Sequence, residues 1–544
     1  MKNKLSVLKL TVLGAGIIFL SSFAYNNNDK LFEIAKNLEI FTNVYKQLNT
    51  HYVDDIEPNQ LMRTGIDAMM NSLDPYTVYY SESQVESYRI STDNKYNGLG
   101  AASQEIDGKF TIIEVYDQGP AQEAGLKVGD QIKTINGESA DSRSYDDVLQ
   151  FIRGYPGTSL NLTINRPAEG KNYPITLTRS SVEIPNVPYS GMISDNVGYI
   201  NLTTFTQNAS KNIANAFREL RKDNELEGLV LDLRSNGGGL LSEAVDILGL
   251  FINNGTPVVS TKAKVRDRDQ NYSTRRLPID TDLPLVVLVN NRSASASEIV
   301  SGSIQDLDRG VIMGQRTYGK GLVQNHQEVG YNSRIKVTIS KYYIPSGRCI
   351  QSVDYENGEP KDIPDSERAV FHTKNGRPVL DGGGIIPDVK LVRTKDPEIV
   401  KALKGQNMIF KYVNNYVSGI DSLASFEAFK YDDYAGFKRF LRDNKFTYLT
   451  EAEKELAELK EAAENHEVTV INTDISTIEK KIADLKADDL EEYQAVIQDE
   501  IELEIVKRYF YQEGKTRQML KNDTEVVEAI QLINDTKRYQ SILK

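Results

Sequence analysis

The sequence predicts a multidomain α/β protein. Short apolar runs bounded by turn residues, such as residues 283–290, are typical of buried strands, and helical spacing of apolar residues separates them. After about Lys395 glycine becomes rare and Glu, Lys, Ala and Leu dominate, which predicts a helical domain over residues 396–544. A length of 544 residues suits about three or four domains.

The amino terminus has the pattern of an export signal over residues 1–24. Three lysines in the first nine residues precede an apolar stretch over residues 10–25, and Ser22-Phe23-Ala24 resembles a small-x-small cleavage site. The stretch is short for a membrane span, so we expect cleavage, with retention as an inner-membrane anchor as the alternative. We therefore expect an extracytoplasmic, periplasmic protein.

Two further segments precede the main catalytic candidates. Residues 25–95 contain apolar spacing that predicts two or three helices. Within residues 96–182, the run GPAQEAGLKVGDQIKTINGE places turn glycines between short apolar strands, and a helix-patterned segment and an alternating strand follow. This module closely resembles a PDZ domain. The resemblance implies that Gly98, Leu99 and Gly100 form a loop that binds the terminal carboxylate of an extended peptide.

A serine-dense segment followed by an isolated lysine predicts hydrolase chemistry. A helix is expected to start near Ser295, directly after the buried strand over residues 283–290. A serine hydroxyl needs an adjacent base, and a lysine can be that base when desolvation lowers its pKa. Lys320, between two glycines, is the candidate base. The amide of Ala296, at the helix start, is the nearest donor for a developing oxyanion.

Two other interpretations of these residues remain open. Ser295-x-x-Glu298 is also a capping-box pattern, so Ser295 could simply cap the helix. The segment from Gly314 to Gly321 resembles a phosphate-binding loop, although Gly321 stands where magnesium would need Ser or Thr.

The segment SASASE, with GKG-x-V-Q downstream, resembles the active site of the carboxy-terminal processing peptidases. The resemblance assigns the nucleophile to Ser295, the base to Lys320, and to Gln324 the role of orienting that lysine. It covers roughly residues 40 to 393 and implies a crotonase-like serine protease core over residues 183–395, with no cofactor. The segments KYYIPSGRCIQ and GGGIIPDV also resemble family signatures, although Cys349 replaces an expected Ser.

The glycine-rich segment DLRSNGGGL lies in the order that this family requires. It follows an apolar strand, and its bare backbone can approach a ligand closely. Gly238 or Gly239 is therefore the expected second oxyanion donor. Taken alone, the triple glycine could equally be a helix-entry loop without chemical function.

Composition limits the possible partners. A net charge of −13 argues against nucleic acid. Four scattered histidines and one cysteine form no recognisable metal-binding pattern, so no metal is expected. The helical domain over residues 396–544 is read as a structural appendage, with dimerisation or adaptor binding as the alternative.

The sequence thus predicts an exported serine endopeptidase that recognises exposed carboxyl termini of extracytoplasmic proteins. One rival is a non-catalytic PDZ scaffold. Another is a Ser-His enzyme, because His326 lies two residues beyond Gln324 and strand alternation places both on one face. The PDZ domain is expected either to activate the protease or to block it when empty.

Overall fold

The computed structural model describes residues 30–81, 84, 95–141, 143–351, 353–356, 359–392, 396–420, 422–466 and 469–544. The predicted export signal, residues 1–24, lies outside them. The described residues fall into two compact units, one within Met1–Tyr79 and Tyr355–Glu359, and the other within Tyr80–Asp354 and Pro360–Lys544. In the described part of the chain, none of the helices combines the length and the apolar character needed to cross a bilayer.

The first unit contains two helices, α1 over residues 30–51 and α2 over Pro58–Asn71. Pro58 begins α2, where its missing N–H costs no hydrogen bond. Helical structure therefore occurs where apolar spacing predicted it. The short strand β1, Val78–Tyr80, follows.

The segment that resembles a PDZ domain folds around an antiparallel sheet in the order β3-β4-β5-β7-β8, and β6 pairs with β5. Leu160, Leu162 and Ile164 alternate along β7 and fill the core beneath α4. The strand β2 pairs with β9 outside this sheet. The elements are β2 Lys95–Gly98, β3 Ala101–Ile106, β4 Lys109–Val115, α3 Pro120–Glu123, β5 Gln131–Ile135, β6 Glu138–Ser139, α4 Tyr145–Ile152, β7 Ser159–Arg166, β8 Lys171–Thr178 and β9 Ser180–Glu183.

A six-stranded sheet in the order β10-β11-β12-β15-β16-β23, in which β23 is Val389–Lys390, forms the centre of the next region. Its strands are parallel except for the edge strand β10. The predicted strand over residues 283–290 is β15, and all of its residues are buried. The elements are β10 Tyr189–Met192, β11 Val197–Asn201, α5 Ala209–Lys222, β12 Gly228–Asp232, α6 Leu241–Phe251, β13 Pro257–Ala263, β14 Gln270–Ser273, β15 Leu285–Val289, α7 Ala296–Asp306 and β16 Val311–Gly314.

A second sheet contains the long hairpin of β17 and β18, with β13 and then β14 beside β18. The hairpin starts directly after the loop of Lys320 and so fixes where this loop ends. The remaining strands are β17 Leu322–Gly330, β18 Ser333–Tyr343, β19 Val353–Glu356, β20 Glu359–Asp362, β21 Val370–His372, β22 Pro378–Leu380 and β23 Val389–Lys390.

The carboxy-terminal region is helical, as predicted. Helices α8 to α10 pack on α14 through a buried apolar cluster, and α11 and α12 form a separate hairpin. The helices are α8 Glu398–Gly405, α9 Met408–Tyr416, α10 Tyr434–Asp443, α11 Glu451–Asn465, α12 Asn472–Lys486, α13 Asp489–Glu492, α14 Gln494–Lys521, α15 Thr524–Asn534 and α16 Thr536–Ile542.

The last two helices complete the six-stranded sheet rather than extending away from it. Alternate strand residues, such as Val287 and Leu288, face opposite sides of the sheet. One side is covered by α5, α6 and α7, and the other by Leu532, Ile533 and their neighbours on α15 and α16. Part of the helical domain is therefore required to bury the sheet.

The helical region also contacts the PDZ-like domain. Lys411 of α9 forms an ion pair with Asp107 at 2.7 Å, and Tyr511 of α14 accepts a hydrogen bond from Gln122. Tyr511 interrupts the helical backbone with φ 51°. A cavity of about 470 Å³ lies between the two surfaces.

The burial of α15 predicts that it stabilises the sheet. Leu532 is fully buried, so Leu532→Ala should lower the free energy of unfolding by about 2–5 kcal/mol. Val527 lies on the same helix and is 50% exposed, so Val527→Ala should change it by less than about 0.5 kcal/mol. Urea unfolding followed by circular dichroism measures both variants. Equal small effects would show that α15 is a dispensable appendage.

Candidate active site

A cavity of about 550 Å³ opens between the start of α7, the glycine-rich loop after β12 and the start of β17. The structure brings together around it all the residues predicted for catalysis and oxyanion binding: Ser295, Ala296, Lys320, Gln324, Gly238 and Gly239. The predicted carboxylate loop of Gly98, Leu99 and Gly100 lies instead at the end of β2.

Ser295 stands at the turn between β15 and α7 in an uncommon backbone conformation. Its φ of 56° and ψ of −113° lie outside the regions that residues other than glycine usually occupy. Strain of this kind persists only where the surroundings impose it, and it occurs often at active sites. The Ala294 amide donates to the Asn236 carbonyl oxygen at 3.0 Å, which holds the turn against the glycine-rich loop.

The buried carboxylate of Glu298 connects two segments: the turn at Ser295, called the serine turn, and the loop of residues 317–320, called the lysine loop. Its Oε2 accepts hydrogen bonds from the amides of Ser295 and Lys320, both at 2.8 Å. Its Oε1 accepts from the Gly319 amide at 2.7 Å and from the Thr317 hydroxyl at 2.5 Å. Burial raises the pKa of Glu298 to about 7, although these four hydrogen bonds act in the opposite direction.

The capping interpretation of Ser295 and Glu298 is therefore correct for the backbone. Ser295 is the N-cap residue of α7, and Glu298 accepts from its amide. The same carboxylate also binds the lysine loop, which a helix cap alone does not require. The phosphate-loop interpretation is wrong, because Lys320 precedes the strand β17 and not a helix.

Tyr342 forms a second connection between the two loops. Its hydroxyl lies within hydrogen-bond distance of the Ser295 carbonyl oxygen, at 3.1 Å, and of the Lys320 carbonyl oxygen, and its single proton is shared between them. On the far side of the lysine, the Gly321 amide donates to Gln351 Oε1 at 2.8 Å. The backbone on both sides of Lys320 is thus fixed.

The glycine-rich loop lies directly against Ser295. Gly238 has φ 99°, and a Cβ added there would lie 2.8 Å from Ser295 Cβ and 2.9 Å from the Ala296 amide nitrogen. The Gly238 amide donates to Asn236 Oδ1 at 2.9 Å. A Cβ on Gly239 would lie 2.5 Å from the Phe205 carbonyl oxygen. Only glycine fits at either position.

Gln324 and His326 both line the cavity from β17. Gln324 Nε2 donates to Thr338 Oγ1 at 3.4 Å, so its carboxamide is anchored to the neighbouring strand β18. The ring of His326 stacks on Tyr80 with centroids 6.0 Å apart. Burial, together with Lys336 and Arg334, lowers the pKa of His326. The geometry thus keeps His326 near the site.

The predicted carboxylate loop is part of the packed PDZ-like domain. Leu99 is 1% exposed and belongs to its core. Gly100 has φ 80°, and a Cβ there would lie 2.8 Å from Pro120 Cδ. On the wall of the expected groove, Tyr145 of α4 donates to the Ser103 carbonyl oxygen of β3 at 2.6 Å. A direct hydrogen bond therefore joins the helix α4 to the strand β3.

Sequence reasoning missed three residues that assemble the site. The local sequence marks Glu298 only as a capping residue, and it does not distinguish Asn236 or Tyr342 from their neighbours. Asn236 is fully buried, accepts from the Gly238 amide and donates to the Leu202 carbonyl oxygen at 2.8 Å. Each of the three lies inside one of the motifs SASASE, DLRSNGGGL and KYYIPSGRCIQ, and this position is the sequence signal that could have identified it.

Three family models match separate regions of the chain. Residues 196–359 match the model of peptidase family S41, and residues 111–166 match a PDZ domain model. Residues 399–533 match the model described as "Probable PDZ-protease, C-terminal helical domain".

Curated relatives are similar over most of their own length. The carboxy-terminal-processing protease of Bartonella bacilliformis is 31% identical over 344 residues, covering 63% of this chain and 78% of the relative. The carboxy-terminal processing protease CtpB of Bacillus subtilis is 32% identical over 324 residues, covering 59% and 67%. CtpA of the same organism is 29% identical over 361 residues, covering 66% and 75%.

The contact between Gly238 and Ser295 predicts a sharp difference between neighbouring glycines. Gly238→Ala should lower kcat by at least about 10²-fold, because the new Cβ displaces the Ser295 turn and the Ala296 amide. Gly237→Ala should lose far less, because its Cβ would meet no described atom within 4 Å. Hydrolysis of an internally quenched peptide measures both. Similar losses in the two variants would contradict this role of Gly238.

The raised pKa of Glu298 predicts a pH-dependent stability. Between about pH 4.5 and 7 the folded state retains a proton that the unfolded state releases. This retained proton contributes on the order of 3 kcal/mol to the free energy of unfolding. The contribution is complete below pH 4.5 and is lost as the pH rises through about 7. Glu298→Gln should lack that loss.

Urea unfolding at several pH values compares Glu298→Gln with the wild type. The exposed Glu219, on α5, supplies the matched control Glu219→Gln, which should follow the wild type at every pH. A difference between Glu298→Gln and the wild type that stays constant from pH 4.5 to 8 would refute the assignment.

Proposed function

Since this chain belongs to the carboxy-terminal processing proteases of peptidase family S41, we propose that it is an exported serine endopeptidase with a Ser295-Lys320 dyad. One observation carries this proposal: the Glu298 carboxylate holds the amides of both residues at 2.8 Å, on the wall of one cavity. A protein that only binds peptides has no need to hold a strained serine beside a lysine.

In the proposed mechanism, the Ser295 hydroxyl attacks the scissile carbonyl carbon while Lys320, in its neutral form, takes the hydroxyl proton. The carbonyl oxygen becomes an oxyanion. When the intermediate collapses, Lys320 returns the proton to the leaving amine and an acyl-enzyme remains. Water, deprotonated by Lys320, then attacks the acyl carbon; the ester bond to Ser295 breaks, the new carboxyl terminus leaves, and Lys320 returns the proton to the Ser295 oxygen. Gln324 steadies the lysine.

Backbone amides bind the oxyanion in this proposal. The Ala296 amide belongs to the first turn of α7, where amides lack helical acceptors and the helix dipole favours negative charge. The Gly238 amide already donates to Asn236, which favours Gly239 over Gly238 as the second donor. Both glycines keep the backbone close enough to the nucleophile.

The PDZ domain supplies the proposed specificity for carboxyl termini. A substrate end bound there raises the local concentration of the upstream chain at Ser295. The domain can act as a tether that feeds substrate, or as a gate that blocks the protease when empty. Its contacts with α9 and α14 give a gate a structural route.

Export is proposed from the first 24 residues, which lie outside the described structure. Their lysines and apolar stretch support delivery to the periplasm, with cleavage or with an inner-membrane anchor through residues 10–25. Other exported proteins with exposed carboxyl termini would then be the substrates. The helical domain remains a candidate for adaptor binding or homo-oligomer formation.

Substitution of the proposed base distinguishes lysine from histidine catalysis. Lys320→Arg keeps the charge but cannot release a proton, so kcat should fall by at least about 10³-fold, as in Ser295→Ala. His326→Ala should stay within a few-fold of the wild type. Peptide turnover measures all three, and circular dichroism checks folding. A near-normal Lys320→Arg, or an inactive His326→Ala, would overturn the dyad. Absence of turnover by the wild type itself would favour a binding scaffold, and full turnover by Ser295→Ala would point to another nucleophile.

The proposed specificity predicts a difference between two peptides that differ only at their ends. A peptide with a free, apolar carboxyl terminus should bind more tightly than its amidated twin, because amidation removes the charge that the loop amides solvate. Fluorescence anisotropy on the full-length Ser295→Ala protein measures both without cleavage. Equal affinities would show that the domain does not recognise chain ends.

A further inference from the structure

Arg234 connects the glycine-rich loop to the carboxy-terminal helices. It follows β12 and lies four residues before Gly238. Its guanidinium forms ion pairs with Asp232 at 2.6 Å, with Asp523 at 2.7 Å and with Glu525 at 2.7 Å. Asp523 and Glu525 belong to the start of α15, so this helix contacts the same short loop that lines the catalytic cavity.

The ion-pair cluster of Arg234, Asp232, Asp523 and Glu525 is largely shielded from solvent, and its members are held in a defined geometry. The four charged side chains are between 5% and 16% exposed. Asp232 also accepts a hydrogen bond from the buried Tyr199 hydroxyl at 2.7 Å. Charge-assisted pairs that are removed from water act more strongly than exposed ones, and loss of one partner leaves a buried charge without compensation.

Asp523 is itself held in a fixed position. It caps α15, and its Oδ1 accepts from the amides of Glu525 at 3.0 Å and Val526 at 3.2 Å. The body of α15 packs on the six-stranded sheet. The carboxylates that hold Arg234 are thus anchored independently of the glycine-rich loop.

Short hydrogen bonds link Arg234 to the catalytic turn. The Arg234 amide donates to Asp232 Oδ1 at 2.8 Å, and the next amide, of Ser235, donates to Asn290 Oδ1 at 2.9 Å. Asn236 follows and binds both the Gly238 amide and the Ala294 amide. A shift of Arg234 therefore displaces the backbone that presents Gly238 and Gly239.

We propose that Asp523 and Glu525 are positioning residues for peptide hydrolysis, which hold the oxyanion-binding loop through Arg234. The inference rests on the proposed Ser295 chemistry. It gives the helical domain a direct role in turnover, in addition to covering the sheet. We expect loss of these residues to weaken stabilisation of the transition state, while substrate binding is largely retained.

The test compares the double variant Asp523→Asn/Glu525→Gln with the wild type. Asn still caps a helix and Gln has the shape of Glu, so the variant keeps its packing. Its kcat should fall at least about tenfold, while KM stays within about twofold of the wild type. Complete loss of one oxyanion donor lowers kcat by about 10²–10³-fold, so a displaced donor should cause part of that loss. The inhibition constant of a peptide aldehyde, which adds the Ser295 hydroxyl across its carbonyl, should rise in parallel. Glu525→Asp, which keeps the charge, should retain more activity than Glu525→Gln.

Tyr539→Phe is the matched control. The Tyr539 hydroxyl donates to the Leu285 carbonyl oxygen at 3.0 Å, which joins α16 to the far end of β15. This variant should lower the melting temperature and leave kcat and aldehyde affinity within about twofold.

Normal kcat and aldehyde affinity in the double variant, or an equal loss in Tyr539→Phe, would overturn the inference. If Ser295→Ala is inactive in the same assay, such a result leaves the proposed function standing. Full turnover by Ser295→Ala would overturn both.

Discussion

The hydrogen bonding of the Glu298 carboxylate is the interaction on which the site depends. Two loops that are distant in sequence meet at one buried side chain, which accepts from the amides of Ser295, Gly319 and Lys320 and from the Thr317 hydroxyl. Hydrogen bonds to a charged group contribute about 1.5–3 kcal/mol each, while burial of a charge costs several kcal/mol. Burial raises the pKa of Glu298 to about 7, so its cost exceeds the gain from the hydrogen bonds by about 3 kcal/mol.

Further layers of structure support that carboxylate. The Thr317 hydroxyl, which donates to Glu298, accepts a hydrogen bond from the Ile385 amide at 2.6 Å. Gly384 precedes this amide with φ 76°, and a Cβ there would lie 2.6 Å from the Thr317 carbonyl oxygen. The motif GGGIIPDV therefore holds the lysine loop in place, just as the NGGG segment holds the serine turn. Both glycine runs permit close approach of two backbones.

The sequence predicted the parts of this structure that short-range patterns encode. The continuous apolar run of β15, the helix after Ser295 and the alternation of β7 all follow from local periodicity. The isolated lysine between two glycines indicated Lys320 as the base, and family resemblance added Gln324 and the glycine-rich loop around Ser295. Long-range contacts could not be read in this way, because nothing in the local pattern of Asp523 or Glu525 indicates a partner at Arg234. Likewise, α15 and α16 have ordinary amphipathic patterns that do not specify which surface they cover.

The central claim is that one carboxylate holds the nucleophile and the base together. Amide hydrogen exchange, followed by mass spectrometry on the wild type and Glu298→Gln, tests it most directly. The account predicts faster exchange in the variant for both segments that contain Ser295 and Gly319 to Lys320, with unchanged protection of β15, Leu285–Val289. A folded variant in which either segment keeps its full wild-type protection would contradict the claim.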